Sequence, residues 1–163
     1  MKIDASLDEA GVSAKAYLTL RALEQTFALP LEFARSVFKI DAVTRVPRAS
    51  PHIVGLSHLR GGIVAIVCLA RRLEPDARAL GAGATAVAIE LGAETFALAV
   101  QEVGDIIHVH AEDLSPIADH ADLGRSGVMA GIIRSGAALV PVLDPFSIFE
   151  VARVADAAQL DPN

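Results

Sequence analysis

Apolar residues in this chain fall in short runs separated by glycine, proline and charged residues, the pattern of buried strands bounded by turns. Ala16 to Phe33, A-Y-L-T-L-R-A-L-E-Q-T-F-A-L-P-L-E-F, predicts a hairpin with a turn near Leu23 to Gln25 and a second strand ended by Pro30. Ala34 to Val46 alternates loosely through Val37, Ile40 and Val43 and predicts an extended segment up to Pro47. Pro51 is expected to open a short helical turn. Strands follow over Gly55 to Leu59 and Gly62 to Leu69, then a helical turn over Leu69 to Leu73.

Thr85 to Leu91 and Thr95 to Val103 predict a second hairpin across Gly92-Ala93-Glu94. Asp105 to His110 is a further strand. Val128 to Arg134 and Ala138 to Leu143 form a third hairpin across Ser135-Gly136-Ala137. Asp144-Pro145 then signals a helix start, because Asp accepts bonds from first-turn amides and Pro suits the first helical position. Phe146, Ile148, Phe149, Val151, Ala152 and Ala155 supply its apolar face. Many short strands with one terminal helix point to small, packed β-barrels. Residues 1–14 are expected to be a flexible arm, residues 15–155 one domain and residues 156–163 a tail. A Gly- and Ala-rich linker near 74–84 is expected to divide the domain into two halves.

The stretch from Val46 to Leu73 organises the rest. Pro47 and Pro51 bracket a loop, Gly55 and Gly61-Gly62 supply turns, and Arg60 falls between two strands among apolar neighbours. A guanidinium there must find a partner or lie at the surface, since an unpaired buried charge is costly. Its ordinary role is a loop arginine tied to nearby carbonyls.

Composition narrows the function classes. With 53% hydrophobic residues but 4% aromatic ones and no Trp, the core must be aliphatic. A chain of this length buries roughly 70% of its unfolded surface, so no staple is required. A net charge of −6 and scattered arginines oppose nucleic-acid binding, which needs clustered cations. The single cysteine, Cys68, lies in an apolar run and reads as a small buried hydrophobe in a reducing compartment. No apolar run reaches the roughly 18 residues of a membrane span, and the acidic amino terminus is unlike a signal peptide, so a cytoplasmic protein without membrane insertion is expected.

Chemical motifs are sparse. His108-x-His110 places two imidazoles on one strand face near Asp105, Glu112 and Asp113, a conceivable metal pair without a third ligand set by spacing. His52, His58 and His120 are isolated. No nucleophile elbow, Cys-His arrangement or phosphate loop is present, so no enzyme and no cofactor are expected.

Five stretches in order resemble the CheW family of chemotaxis coupling proteins: T-F-A-L-P-L; V-T-R-V-P-R-A-S-P-H-I-V-G; L-R-G-G-I-V-A-I-V-C-L; F-A-L-A-V-Q-E-V; and A-G-I-I-R-S-G-A-A-L-V-P-V-L-D. The resemblance implies a mostly β fold of two five-stranded SH3-like barrels sharing a hydrophobic core, with a C-terminal helix. It implies a non-catalytic adaptor that binds the cytoplasmic tip of a chemoreceptor and the regulatory domain of a CheA-type histidine kinase. The receptor groove would fall on Ala34, Val37, Gly55, Leu56, Arg60 and Ala86, with small residues admitting a helix and Arg60 orienting it. Kinase contacts would use the ends of both barrels. The chain departs from the family pattern at Ser36, Ala65, Cys68, Ala97 and Gln101. A divergent regulatory domain binding one partner, and a metal-binding sensor using His108 and His110, are the alternatives.

Overall fold

The computed structural model describes residues 14–119 and 127–150. Residues 1–13 of the expected amino-terminal arm (1–14), His120, and the helix and tail beyond residue 150 lie outside them, while Ala14, the arm's last residue, opens the first strand. Eleven strands occur among the described residues: β1 (Ala14–Ala22), β2 (Gln25–Pro30), β3 (Ala34–Lys39), β4 (Ile53–Leu59), β5 (Gly62–Cys68), β6 (Thr85–Leu91), β7 (Glu94–Val100), β8 (Glu102–His110), β9 (Leu114–Pro116), β10 (Met129–Ser135) and β11 (Ala138–Leu143). One short helix, α1 (Leu69–Leu73), follows β5. No described helix is long and apolar enough to cross a membrane.

The hairpins form where glycine and chain reversal predict them, with turns tighter than the sequence suggests. β1 and β2 pair up to Ala22 and Gln25, leaving Leu23 and Glu24 as a two-residue turn at φ 52° and 60°. β4 and β5 pair up to Leu59 and Gly62, so the turn is Arg60-Gly61, at φ 51° and 81°. Two consecutive positive φ values match the right-handed twist of the flanking strands. The run expected over Thr95 to Val103 breaks at Gln101, where β7 ends and β8 begins.

Two sheets result, ordered β8-β1-β2-β11-β10-β9 and β3-β6-β7-β5-β4. The chain changes sheet between β2 and β3 and again between β7 and β8. The linker expected to divide two halves instead joins α1 to β6 within the five-stranded sheet. The reason is pairing: β7 lies parallel to β5, with Ala65 to Cys68 opposite Phe96 to Ala99, which draws the second hairpin onto the first.

Both sheets are rolled, and neither edge-to-edge ladder closes. The edges β8 and β9 are joined only by the 3-10 turn Ala111–Asp113, so they meet at one corner. In the five-stranded sheet a single bridge, Thr44 with Leu56, ties the continuation of β3 to the opposite edge. The expected pair of five-stranded barrels is therefore one six-stranded and one five-stranded roll, while the shared core is present. Leu20, Phe27 and Leu29 meet Val67, Ile89 and Leu98 there. Each roll also has its own filling: Tyr17, Ala28, Ile133 and Val142 in one, Ile40, Ile66, Ala86, Ala97 and Ala99 in the other. Alanines suit the tight interior of the smaller roll.

Residues 145–150 are helical. Asp144 starts this helix, accepting a bond from the Phe146 N–H at 3.1 Å and one from the Ser147 hydroxyl at 2.8 Å. Ile148 and Phe149 are fully buried in the shared core, with Phe149 stacked on Phe96 at 4.8 Å. Phe146, expected on the same apolar face, is exposed and meets only the edge of Phe33 at 5.5 Å.

Candidate functional site

Strand register decides which side each expected groove residue occupies. Directly opposed residues of neighbouring strands share a face, and successive residues alternate. Ala34 pairs with Ile89, Val37 with Val87 and Leu56 with Ala65, and all three partners point into the shared core. Ala34, Val37 and Leu56 therefore lie on the outer face of the five-stranded roll. Ala34 and Leu56 are half-buried against that core, whereas Val37 is 51% exposed at the edge.

Gly55 and Ala86 belong to the other face. Gly55 pairs with Ile66, and Ala86 packs beside Ile66 and Ala97 inside the roll with no exposed surface. The space that Gly55 leaves is taken by the chain's own backbone: a Cβ there would strike the Thr44 carbonyl and stand 2.7 Å from Val43 Cγ1. Its smallness lets residues 43–44 cross β4. Ser57 fastens the same crossing by donating to the Ala42 carbonyl at 2.7 Å.

Arg60 sits at the hairpin tip, exposed, in the left-handed conformation that asparagine and glycine favour. It makes no hydrogen bond or ion pair with a described residue. The expectation of a loop arginine tied to carbonyls does not hold among the described residues, where its side chain is exposed at the tip. One step down the hairpin His58 faces Ile63, and Ile63 is 65% exposed, the most exposed large apolar residue described. Ile63 shares its face with Leu56 and Ala65. The expected strand Gly62 to Leu69 contains Ile63, but alternation along it does not say where a sheet's cover stops.

Leu56 and Ile63 form an apolar strip on one face of the β4–β5 hairpin, with a cation at its tip, while Val37 lies on β3, at the other end of the strand order. Val37 is flanked on its strand by Arg35, paired with Glu90 at 3.1 Å, and by Lys39, which donates to Thr85 at 2.7 Å. The hairpin strip can take the apolar side of an amphipathic helix and offer a guanidinium to its carboxylates or terminal carbonyls. It holds no general base or nucleophile pair. No group of three or more described His, Cys, Asp or Glu residues could hold a metal ion; His108 and His110 share a face of β8 without a third ligand.

A family model described as the CheW-like domain matches residues 16–153. A chemotaxis protein CheW from Rhizobium meliloti (strain 1021) is 22% identical over 132 residues, covering 81% of this chain and 85% of the relative. Among solved structures, the scaffolding protein TtCheW from Thermoanaerobacter tengcongensis superposes with a TM-score of 0.67 at 18% identity, over 80% of this chain and 88% of that one, and so shares the fold.

Proposed function

The chain belongs to the CheW family, and from that premise we propose that it joins a chemoreceptor tip to the regulatory domain of a CheA-type kinase, with the face beside the β4–β5 hairpin as its receptor contact. CheW proteins are non-catalytic adaptors of chemotaxis-type signalling, and this chain is one of them. The finer assignment rests on one observation: a solvent-exposed guanidinium at the hairpin tip adjoins an exposed Ile63, with Leu56 on the same face of the hairpin. An exposed apolar strip beside a cation is the combination that a docking surface for an amphipathic helix uses. Of the residues implied by the family resemblance, Leu56 and Arg60 lie on this face, and Ala34 and Val37 lie on β3 at the other end of the strand order. Gly55 and Ala86 act behind the face, shaping the roll.

A three-way titration tests the proposal, with a chemoreceptor cytoplasmic fragment, a kinase regulatory domain, and both together. Binding of each partner with both retained in one complex is expected. Arg60→Glu and Ile63→Ser should weaken the receptor arm while leaving the kinase arm unchanged. Failure to bind the receptor fragment, or equal losses in both arms, would overturn the assignment of this face.

A further inference from the structure

The opposite end of β4 opens onto a cleft of about 530 Å³ that the coupling role leaves unused. Three arginines, Arg45, Arg48 and Arg71, line it, and none of its described lining residues is acidic, although the whole chain carries a net charge of −6. The apolar part of the wall comes from Val46, Ile53 and Leu80.

One of the three guanidiniums, Arg71, is held in place by the protein's own carbonyls. Arg71 donates through Nε to the Ala77 carbonyl at 2.7 Å and through Nη1 to the Pro51 carbonyl at 3.2 Å, and its Nη2 makes no hydrogen bond to a described residue. Arg48 is held at φ 63°, a conformation that non-glycine residues adopt rarely, within a turn closed by the Ala49 N–H on the Val46 carbonyl at 3.3 Å. Neither Arg45 nor Arg48 has an ion pair among the described residues, and both are exposed.

We propose that this cleft binds a phosphorylated small molecule of nucleotide size, its phosphates on the three guanidiniums and its less polar body against Val46, Ile53 and Leu80. Three cations without a carboxylate call for an anion of two or more charges, and guanidinium forks match phosphate oxygens. The volume falls within the range of about 300 to 1,000 Å³ typical of small-molecule sites, and concavity favours a compact ligand over a flat macromolecular surface. The site is separate from the receptor face: β4 runs from Ile53 at the cleft to Leu59 beside Arg60, about 20 Å away along a seven-residue strand.

Calorimetry on the full chain at low ionic strength, with ATP and inorganic pyrophosphate as probes, tests the proposal. ATP is expected to bind, pyrophosphate more weakly, and Arg45→Glu/Arg48→Glu to lower ATP affinity about tenfold or more at unchanged melting temperature. The neutral pair Arg45→Gln/Arg48→Gln should give a smaller loss in the same direction. Arg60→Glu, a single charge reversal outside the cleft, should leave ATP affinity unchanged. No binding of either probe at millimolar concentration, or equal losses from the cleft and Arg60 reversals, would overturn the site. Equal affinity for ATP and pyrophosphate would overturn the assignment of an organic body.

Discussion

Thr44 and Leu56 exchange two backbone hydrogen bonds of 2.8 Å each, and this clip draws the continuation of β3 across the far edge of its own sheet. Gly55, beside Leu56, makes the crossing possible: its φ of 151° and missing Cβ leave room for the Thr44 carbonyl. Gly55→Ala should therefore cost about 2 to 3 kcal/mol through backbone strain and a clash with main chain, which cannot yield as a side chain can. Urea denaturation would measure it. A loss below about 0.5 kcal/mol, the ordinary effect of a surface change, would mean the crossing relaxes freely.

Arg60 separates stability from function in opposite directions. Arg60→Asn places a residue better suited to φ 51° in the hairpin turn while removing the charge. The variant should be as stable as the parent or more so by a few tenths of a kcal/mol, yet bind a receptor fragment about tenfold more weakly. Unchanged affinity would make Arg60 a solvated turn residue and nothing more.

Phe149 carries the attachment of the terminal helix. It has no exposed surface and stacks on Phe96, so Phe149→Ala should cost about 3 to 5 kcal/mol. Asp144→Ala removes only the cap, with an expected loss of about 1 kcal/mol. Equilibrium unfolding of both variants should rank them in that order. The reverse ranking would show that the helix is held by its cap and not by the shared core.

His52 makes stability depend on pH. Its Nε2 is buried without a partner, and burial, then the neighbouring Arg72 charge, hold its pKa below the ordinary 6.5. The unfolded chain therefore takes up the proton first. The stabilising contribution is fully present above pH 6.5 and falls as pH drops through that value towards the lower folded pKa. Thermal melts between pH 7.5 and about 5 should show this decline, and His52→Gln should flatten it. An identical pH profile in the variant would assign the dependence to other groups.

Several departures from the family pattern acquire a physical setting. Cys68 is fully buried at the N-cap of α1 and makes no side-chain capping bond, so the helix start relies on packing. Gln101 still serves as an acceptor: its Oε1 receives the Glu24 N–H at 3.2 Å and secures the β1–β2 turn. Ala97 lies at the centre of the smaller roll, where no exposed surface remains.

Local pattern was enough for the elements. Apolar runs broken by glycine and proline placed the hairpins, Asp144-Pro145 placed the terminal helix, and the ordered motifs carried the family. These features depend on neighbours in sequence, where turn chemistry and side-chain period act. The sides of the strands were another matter. Both faces of β6 and β7 are buried, so alternation along Thr85 to Val100 could not separate Ala86, inside the roll, from Val87, in the shared core. The same limit hid the exposure of Ile63, since a strand's own sequence does not record where the second sheet stops covering it. Gly55 reads as a turn residue until Thr44 is seen crossing above it. Register, the parallel pairing of β5 with β7 and the rolling of each sheet are set by contacts between distant segments, and only tertiary structure decides them.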